Sequence, residues 1–515
     1  MSKPEQERTR PVPLIAGPLA FALVLGWPSA ALDMPQRKAL AVTVWTAIWW
    51  LTGAVPVAAA SLLPAALFPL LGILTAGQVA PYYMSDLVFL FLGAFIVALG
   101  LERWQVHRRI ALAILARSGD SPRRLVLGFM VAAAFLSLWI NNTATTLMML
   151  PIAVAVLERI EGKDARGGAL STCLLLGIAY SASVGGMGTP VGTAPNQVFL
   201  GQFHKAFPAA PEIGFGTWFL GWLPLVILWV PLAWWVMTRF VHKLPRTGSG
   251  GADVVAQERR EQGPMTVAQK RMAIVFTTTA ILWVTRSDVQ LGSLTIPGWS
   301  HWFLPDGLTE LSERMQHARD VSDATVATFM AIVCFVVPAG GGERGALMDW
   351  KTASRMPWDV LLLLGGGFAL AKGFQTTGLD TALGGVLAPL YAGHSTWLVV
   401  LGTVLFMSLL TEFTSNTATT AVLLPVVGAA GVTAGLDPRL VMVPATIAAS
   451  AAFLMPAATP PNAVVFATHR VSIPTMARTG VWLNGMTVIL ITVVFELWVR
   501  RIWGIGSGLP EWAKP

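Results

Sequence analysis

Charge is what this sequence has least of. Asp, Glu, Lys and Arg make up 12% of 515 residues, against 54% hydrophobic, whereas a soluble domain carries roughly 25% charge. Uncharged stretches such as 125–156 and 216–238 exceed the roughly 20 mostly apolar residues that cross a bilayer. A large soluble enzyme is excluded, and a polytopic membrane protein is implied.

Cysteine and histidine are scarce too. Cys173 and Cys334 each sit inside an apolar segment, so they build neither a disulfide framework nor a metal site, and packing accounts for them. The seven histidines, at 107, 204, 242, 301, 317, 394 and 469, fall outside every motif described below, whereas proton-coupled carriers usually show chains of buried acids or histidines. There is no His-Glu-x-x-His, no pair of aspartates at the ends of two spans and no Ser-His or Cys-His couple, which argues against a membrane enzyme.

The net charge of +8 comes from clusters between apolar spans. One runs through Arg103, His107, Arg108, Arg109, Arg117, Arg123 and Arg124, the other through Arg239, His242, Lys243, Arg246, Arg259, Arg260, Lys270 and Arg271. The positive-inside rule reads both as cytoplasmic loops, with an anionic-lipid patch as the alternative; nucleic acid is not expected as a partner. The polar MSKPEQERTR start precedes an apolar run without a cleavage pattern. It predicts a short cytoplasmic tail (1–11) before a retained helix in the cell inner membrane.

Apolar segments cluster in 12–241 and again in 272–503, separated by a Gly-, Ser- and charge-rich linker at 242–271, with a tail at 504–515. The two clusters repeat one another. Asn142–Pro151 (NTATTLMMLP) matches Asn416–Pro425 (NTATTAVLLP) at seven of ten positions, and Thr193-Ala194-Pro195-Asn196 matches Thr459-Pro460-Pro461-Asn462. Upstream, Asp86 and Asp359 each open an apolar stretch interrupted by glycine. Interrupted stretches at corresponding positions of two halves point to a secondary transporter's site, so re-entrant hairpins are expected near 82–100 and 357–375. Helix N-capping by the two acids and close helix packing at Gly365–Gly367 are the plainer alternatives.

The motifs are polar but uncharged. Ser137 and Asn141 are four apart, one turn on a helix, and Thr411 and Ser415 repeat the spacing. Buried amides and hydroxyls need partners. Interhelical hydrogen bonds would serve for one isolated residue, but a duplicated set reads better as a site. Hydroxyls, amide carbonyls and free backbone carbonyls ligate Na⁺, while helix N-termini and amide donors attract an anion. The prolines of GTAPN and ATPPN are expected to unwind helix locally and free carbonyls. Glu412, beside Thr411, is read as a structural or hairpin-tip contact.

The paired Asn-Thr motifs, the TEF segment before the second and the two Pro-Asn turns resemble the divalent anion:sodium symporter family over nearly the whole chain. The resemblance implies an all-α membrane fold of about 11 transmembrane helices plus two re-entrant hairpins in two inverted repeats, working as an elevator-type transporter and a homodimer. It places one Na⁺ at Ser137, Asn141, Asn142 and the backbone near Gly192, and another at Thr411, Thr414, Asn416 and the backbone near Ala458. The divalent anion would meet Asn142, Thr143, Asn416 and Thr417, with Thr193, Thr459 and Pro460 close by. Na⁺ is then the coupling ion, no organic cofactor is needed, and a C4-dicarboxylate is the expected cargo. A sodium-independent exchanger and a sulfate or citrate carrier are the alternatives. One position departs from the family: Asn141 stands where its motif has serine.

Overall fold

A computed structural model describes residues 11–28, 31–162, 168–245, 251–291, 294–303 and 321–514. Among these residues the bundle is helical apart from two short antiparallel strand pairs. Among the described residues, seven helices are long and apolar enough to cross a membrane, and six apolar helices are shorter, at 10–17 residues.

Helices of both lengths come in pairs. Pro122–Ser137 and Asn142–Glu161 form a first helical hairpin; Thr396–Thr411 and Asn416–Thr433 form a second. Each hairpin is followed by a helix broken in the middle. The first is Ala169–Met187 and Ala194–Ala206, the second Arg439–Ala449 and Pro460–Phe466. The first segment of each broken helix packs on its own half's hairpin. The second segment crosses to the other half: Ala194–Ala206 packs on Asn416–Thr433, and Pro460–Phe466 on Asn142–Glu161. Two chemically similar halves are thereby interlocked, and their four breaks come together.

The hairpins are not where the glycine pattern put them. Asp86–Arg103 and Trp358–Thr377 are uninterrupted helices. Their glycines serve close packing instead. A Cβ on Gly93 would stand 2.4 Å from the Ala327 carbonyl carbon, and Cβ atoms on Gly365, Gly366 and Gly367 would meet Tyr83, Ser61 and Ala421 respectively. Nor do the two acids cap these helices. The N-cap positions belong to Ser85 and Pro357, while Asp86 and Asp359 lie within the first turn, where a negative charge faces the positive end of the helix dipole.

Of the expected linker 242–271, the described part contains a helix, Gly251–Glu261, anchored at both ends. Ala252 N–H donates to Asp120 Oδ1 (3.2 Å), Glu258 pairs with Arg108, and Arg109 donates to the carbonyls of Gln262, Gly263 and Pro264. The segment expected as a tail at 504–515 also packs on the bundle: Trp512 meets Phe203 and Phe207 edge-on, and the Arg439 guanidinium stands 5.1 Å from its ring centre. The expected N-terminal tail falls at residues 1–10, outside the described residues, apart from Pro11, which begins the first helix.

Candidate functional site

The hairpin tips are made by capping. Ser137 ends one helix and Asn142 begins the next, with Asn141 as N-cap accepting the Ala144 N–H at 2.8 Å. In the second half Thr411 ends a helix and Ser415 caps the next through Ala418 N–H at 3.5 Å. Ser137 and Asn141 therefore do not share a helix face, as their spacing suggested; the chain turns between them. The Asn141 departure from the family motif also gains a physical role. Asn and Ser are comparable N-caps, and Asn141 keeps the cap.

The broken helices are held open by matching amides. Asn196 Nδ2 donates to the carbonyls of Gly186 (3.0 Å) and Thr189 (2.8 Å). Asn462 Nδ2 donates to those of Ala452 and Met455 (3.1 Å each). Both amides thus satisfy carbonyls that an uninterrupted helix would have paired. The prolines do not unwind these segments from within. Pro195 and Pro460 sit in the first turn of the second segment, where a missing N–H is free of cost.

The loops are also tied to the tips. Thr189 Oγ1 donates to the Leu138 carbonyl, and Trp139 of the first tip packs among Phe215, Phe219 and Phe276. In the second half a carboxylate does this. Glu412, 2% exposed, accepts from Phe453 N–H (2.7 Å), Leu454 N–H (2.9 Å) and Asn484 Nδ2 (2.8 Å). That is the hairpin-tip contact expected for it. The two loops meet where Thr193 Oγ1 and Ser450 Oγ lie 3.4 Å apart.

Between the tips and the loops lies a cavity of about 560 Å³. Asn141, Asn142, Thr143, Gly192, Thr193, Asn416, Thr417, Ala458, Thr459 and Pro460 all line it, so ten of the residues singled out from the sequence converge on one space. Ser137, Thr411 and Thr414 lie behind the tips and do not line it. Four helices begin at the cavity, with Asn142, Ala194, Asn416 and Pro460 as first residues, and the backbone N–H groups of such ends attract anions. Among the described residues, no charged side chain lines it. Sequence reasoning missed Gln197, Phe95 and Val360. The first follows the Pro-Asn turn directly; the other two come from the helices Asp86–Arg103 and Trp358–Thr377, and no motif marks them.

Behind the first tip, the Asn142 amide meets a hydroxyl and two backbone carbonyls. With its nitrogen toward Ser137, the Asn142 amide donates to Ser137 Oγ (2.7 Å) and to the carbonyls of Ala182 and Gly192 (3.2 Å each). With its oxygen there, it accepts from Ser137 Oγ at 2.7 Å and faces two carbonyls with no hydrogen between, an arrangement that a cation among oxygens satisfies. At the second tip the buried Oδ1 of Asn416 has no protein partner. The hydroxyls at this tip bond back to their own helix: Thr411 Oγ1 donates to Met407 O (3.0 Å) and Thr414 Oγ1 to Leu410 O (2.8 Å).

Residues 10–505 match the model of the sodium:sulfate symporter transmembrane region. The chain is 38% identical to the sodium-dependent dicarboxylate transporter SdcS of Staphylococcus saprophyticus, over 97% of this chain and 93% of that protein. It is 37% identical to SdcS of Staphylococcus aureus, over 96% and 92%. Two solved transporters share the fold at 14% identity. MtrF of Neisseria gonorrhoeae superposes with a TM-score of 0.59 over 95% of this chain and 99% of that one, and YdaH of Alcanivorax borkumensis with 0.54 over 95% and 98%.

Proposed function

The chain belongs to the sodium:sulfate symporter family, and on that premise we propose that it is a sodium-coupled symporter importing C4-dicarboxylates such as succinate, malate or fumarate. It is a multi-pass membrane transporter. The carrying observation is a neutral cavity lined by both Asn-Thr motifs and both Pro-Asn turns. A dianion brought out of water into such a space costs far more than helix ends alone return. Cations bound a few ångströms away, behind the tips, offset that charge, so anion and Na⁺ favour one another's binding. That mutual dependence is what coupling requires.

The roles follow from position. Asn142 and Asn416 each face both ways, offering an amide to the cavity and to the oxygen cluster behind it, so each joins anion to ion. Thr143, Thr417, Thr193, Thr459 and Pro460 surround the anion. Ser137, Asn141, Asn142 and the Gly192 backbone take one Na⁺; Thr411, Thr414, Asn416 and the Ala458 backbone take the other. Asn141 enters the first set through its backbone, its side-chain oxygen being engaged with Ala144.

The finer architecture is part of the same reading: about 11 spans with two re-entrant hairpins, a cytoplasmic N-terminus in the inner membrane, a homodimer, and elevator motion. Supporting the last, the polar lining comes from the interlocked hairpins and broken helices, while Phe95 and Val360 supply an apolar wall from two uninterrupted helices. Phe95 and Val360 offer no side-chain hydrogen bonds to a polar unit sliding past them. The test is radiolabelled succinate uptake into proteoliposomes under an inward Na⁺ gradient, compared with K⁺ alone and with preloaded dicarboxylate. Uptake that follows the Na⁺ gradient is expected; uptake that ignores Na⁺ and needs internal dicarboxylate would make the protein an exchanger.

A further inference from the structure

Among the positions of the cavity wall where the two halves differ, one exchanges an amide side chain for a methyl group. Thr193–Gln197 (TAPNQ) and Thr459–Ala463 (TPPNA) are equivalent stretches, and both Gln197 and Ala463 line the cavity. One side therefore carries a glutamine and the other an alanine. Gln197 is 2% exposed. Its Nε2 reaches the Val191 carbonyl at 3.4 Å, while its Oε1 is buried with no protein partner. A buried amide oxygen seeks a donor.

A dicarboxylate's own oxygens are acceptors and cannot supply one. Succinate and fumarate have no further polar hydrogen; a hydroxyl on C2 has one to give. Resting on the dicarboxylate reading of this cavity, we propose that Gln197 is a specificity residue that accepts a hydrogen bond from the C2 hydroxyl of a 2-hydroxy-C4-dicarboxylate such as malate. The same oxygen disfavours a third carboxylate at that place, since two acceptors would face each other with no proton between. Ala463 opposite makes no such demand, so the discrimination is one-sided, and one orientation of an unsymmetrical substrate is preferred over its reverse.

The test is competition against Na⁺-driven radiolabelled succinate uptake in proteoliposomes, using malate and methylsuccinate, which puts a methyl where malate has its hydroxyl. In the native chain malate competes better than methylsuccinate. In Gln197→Met, similar in length and shape but without the amide, the malate-to-methylsuccinate preference falls roughly 2- to 10-fold, the range one net hydrogen bond provides. Gln197→Glu, which retains acceptor oxygens but adds charge, weakens all competitors. An unchanged ratio in Gln197→Met overturns the proposal, as does an equal loss for malate and methylsuccinate, which would mean that the amide donates to carboxylate instead. If Gln197→Met does not reach the membrane, the native chain decides: equal competition by the two compounds overturns it. Failure of the dicarboxylate reading would show separately, as native succinate uptake that is absent or indifferent to Na⁺.

Discussion

Asn196 holds the carbonyls of Gly186 and Thr189 just as Asn462 holds those of Ala452 and Met455. The two amides act as pseudo-symmetric staples that keep two helices open in mid-bundle. What they keep open is the cavity wall, so the properties of the site depend on bonds that the cargo never touches.

Replacing Asn142 or Asn416 by alanine is expected to abolish Na⁺-dependent succinate uptake while the protein still elutes as a folded species. Each substitution removes a polar group that lines the cavity, yet leaves a helix former in the first turn. Uptake near the native rate from either variant would take that residue out of the site.

Glu412→Gln should lower stability by about 2–3 kcal/mol, the scale of hydrogen bonds to a buried charge. The amide must turn an NH₂ group toward one of the backbone N–H donors of Phe453 and Leu454 that the carboxylate now accepts. Thermal melting in detergent reads this directly. A native melting curve would show that the loop at 450–459 holds its shape without that charge.

Asn141 separates capping from coordination. Asn141→Ser is expected to stay within about 0.5 kcal/mol of the native protein, because Ser caps as well as Asn, whereas Asn141→Ala loses about 1 kcal/mol. Equal melting temperatures for the two variants would mean that the bond to Ala144 carries no weight. Because Asn141 joins the first ion site through its backbone, the Na⁺ dependence of uptake in Asn141→Ser should stay native.

Glycines divide by what surrounds them. Gly93→Ala would press a methyl into the Ala327 backbone, and Gly366→Ala would place one 2.5 Å from the Ser61 carbonyl oxygen; each should cost about 1–3 kcal/mol. Gly402 has nothing within 4 Å of its Cβ position and lies inside a helix. Its alanine variant should gain about 0.5–1 kcal/mol. Melting temperatures that fall for all three would contradict this division.

The site was more legible in the sequence than the architecture. Two copies of a polar motif in apolar surroundings cannot both be idle, so repetition alone singled out Asn142, Thr143, Asn416 and Thr417, which line the cavity. The hairpins were misplaced because glycine interruption has two physical causes. At Gly93 and Gly365–Gly367 it lets helices approach closely, and the real breaks, at residues 138–141 and 412–415, carry no glycine. Those tips are made by capping, a local side-chain choice that hydropathy does not register. Phe95 and Val360 stayed invisible because an apolar residue facing a cavity looks like any other in an apolar helix.

The attachment of each loop to its hairpin has a bearing on how the protein is made. Thr189 bonds to Leu138, and Phe453 and Leu454 bond to Glu412; in both halves the anchor lies earlier in the chain than the segment it fastens. A ribosome therefore delivers the template before the part that is shaped on it. Nascent chain emerging after either hairpin meets a ready set of acceptors instead of waiting with unpaired backbone in lipid. A circular permutant cut between a hairpin and its broken helix would reverse that order and lengthen the interval in which the loop is exposed.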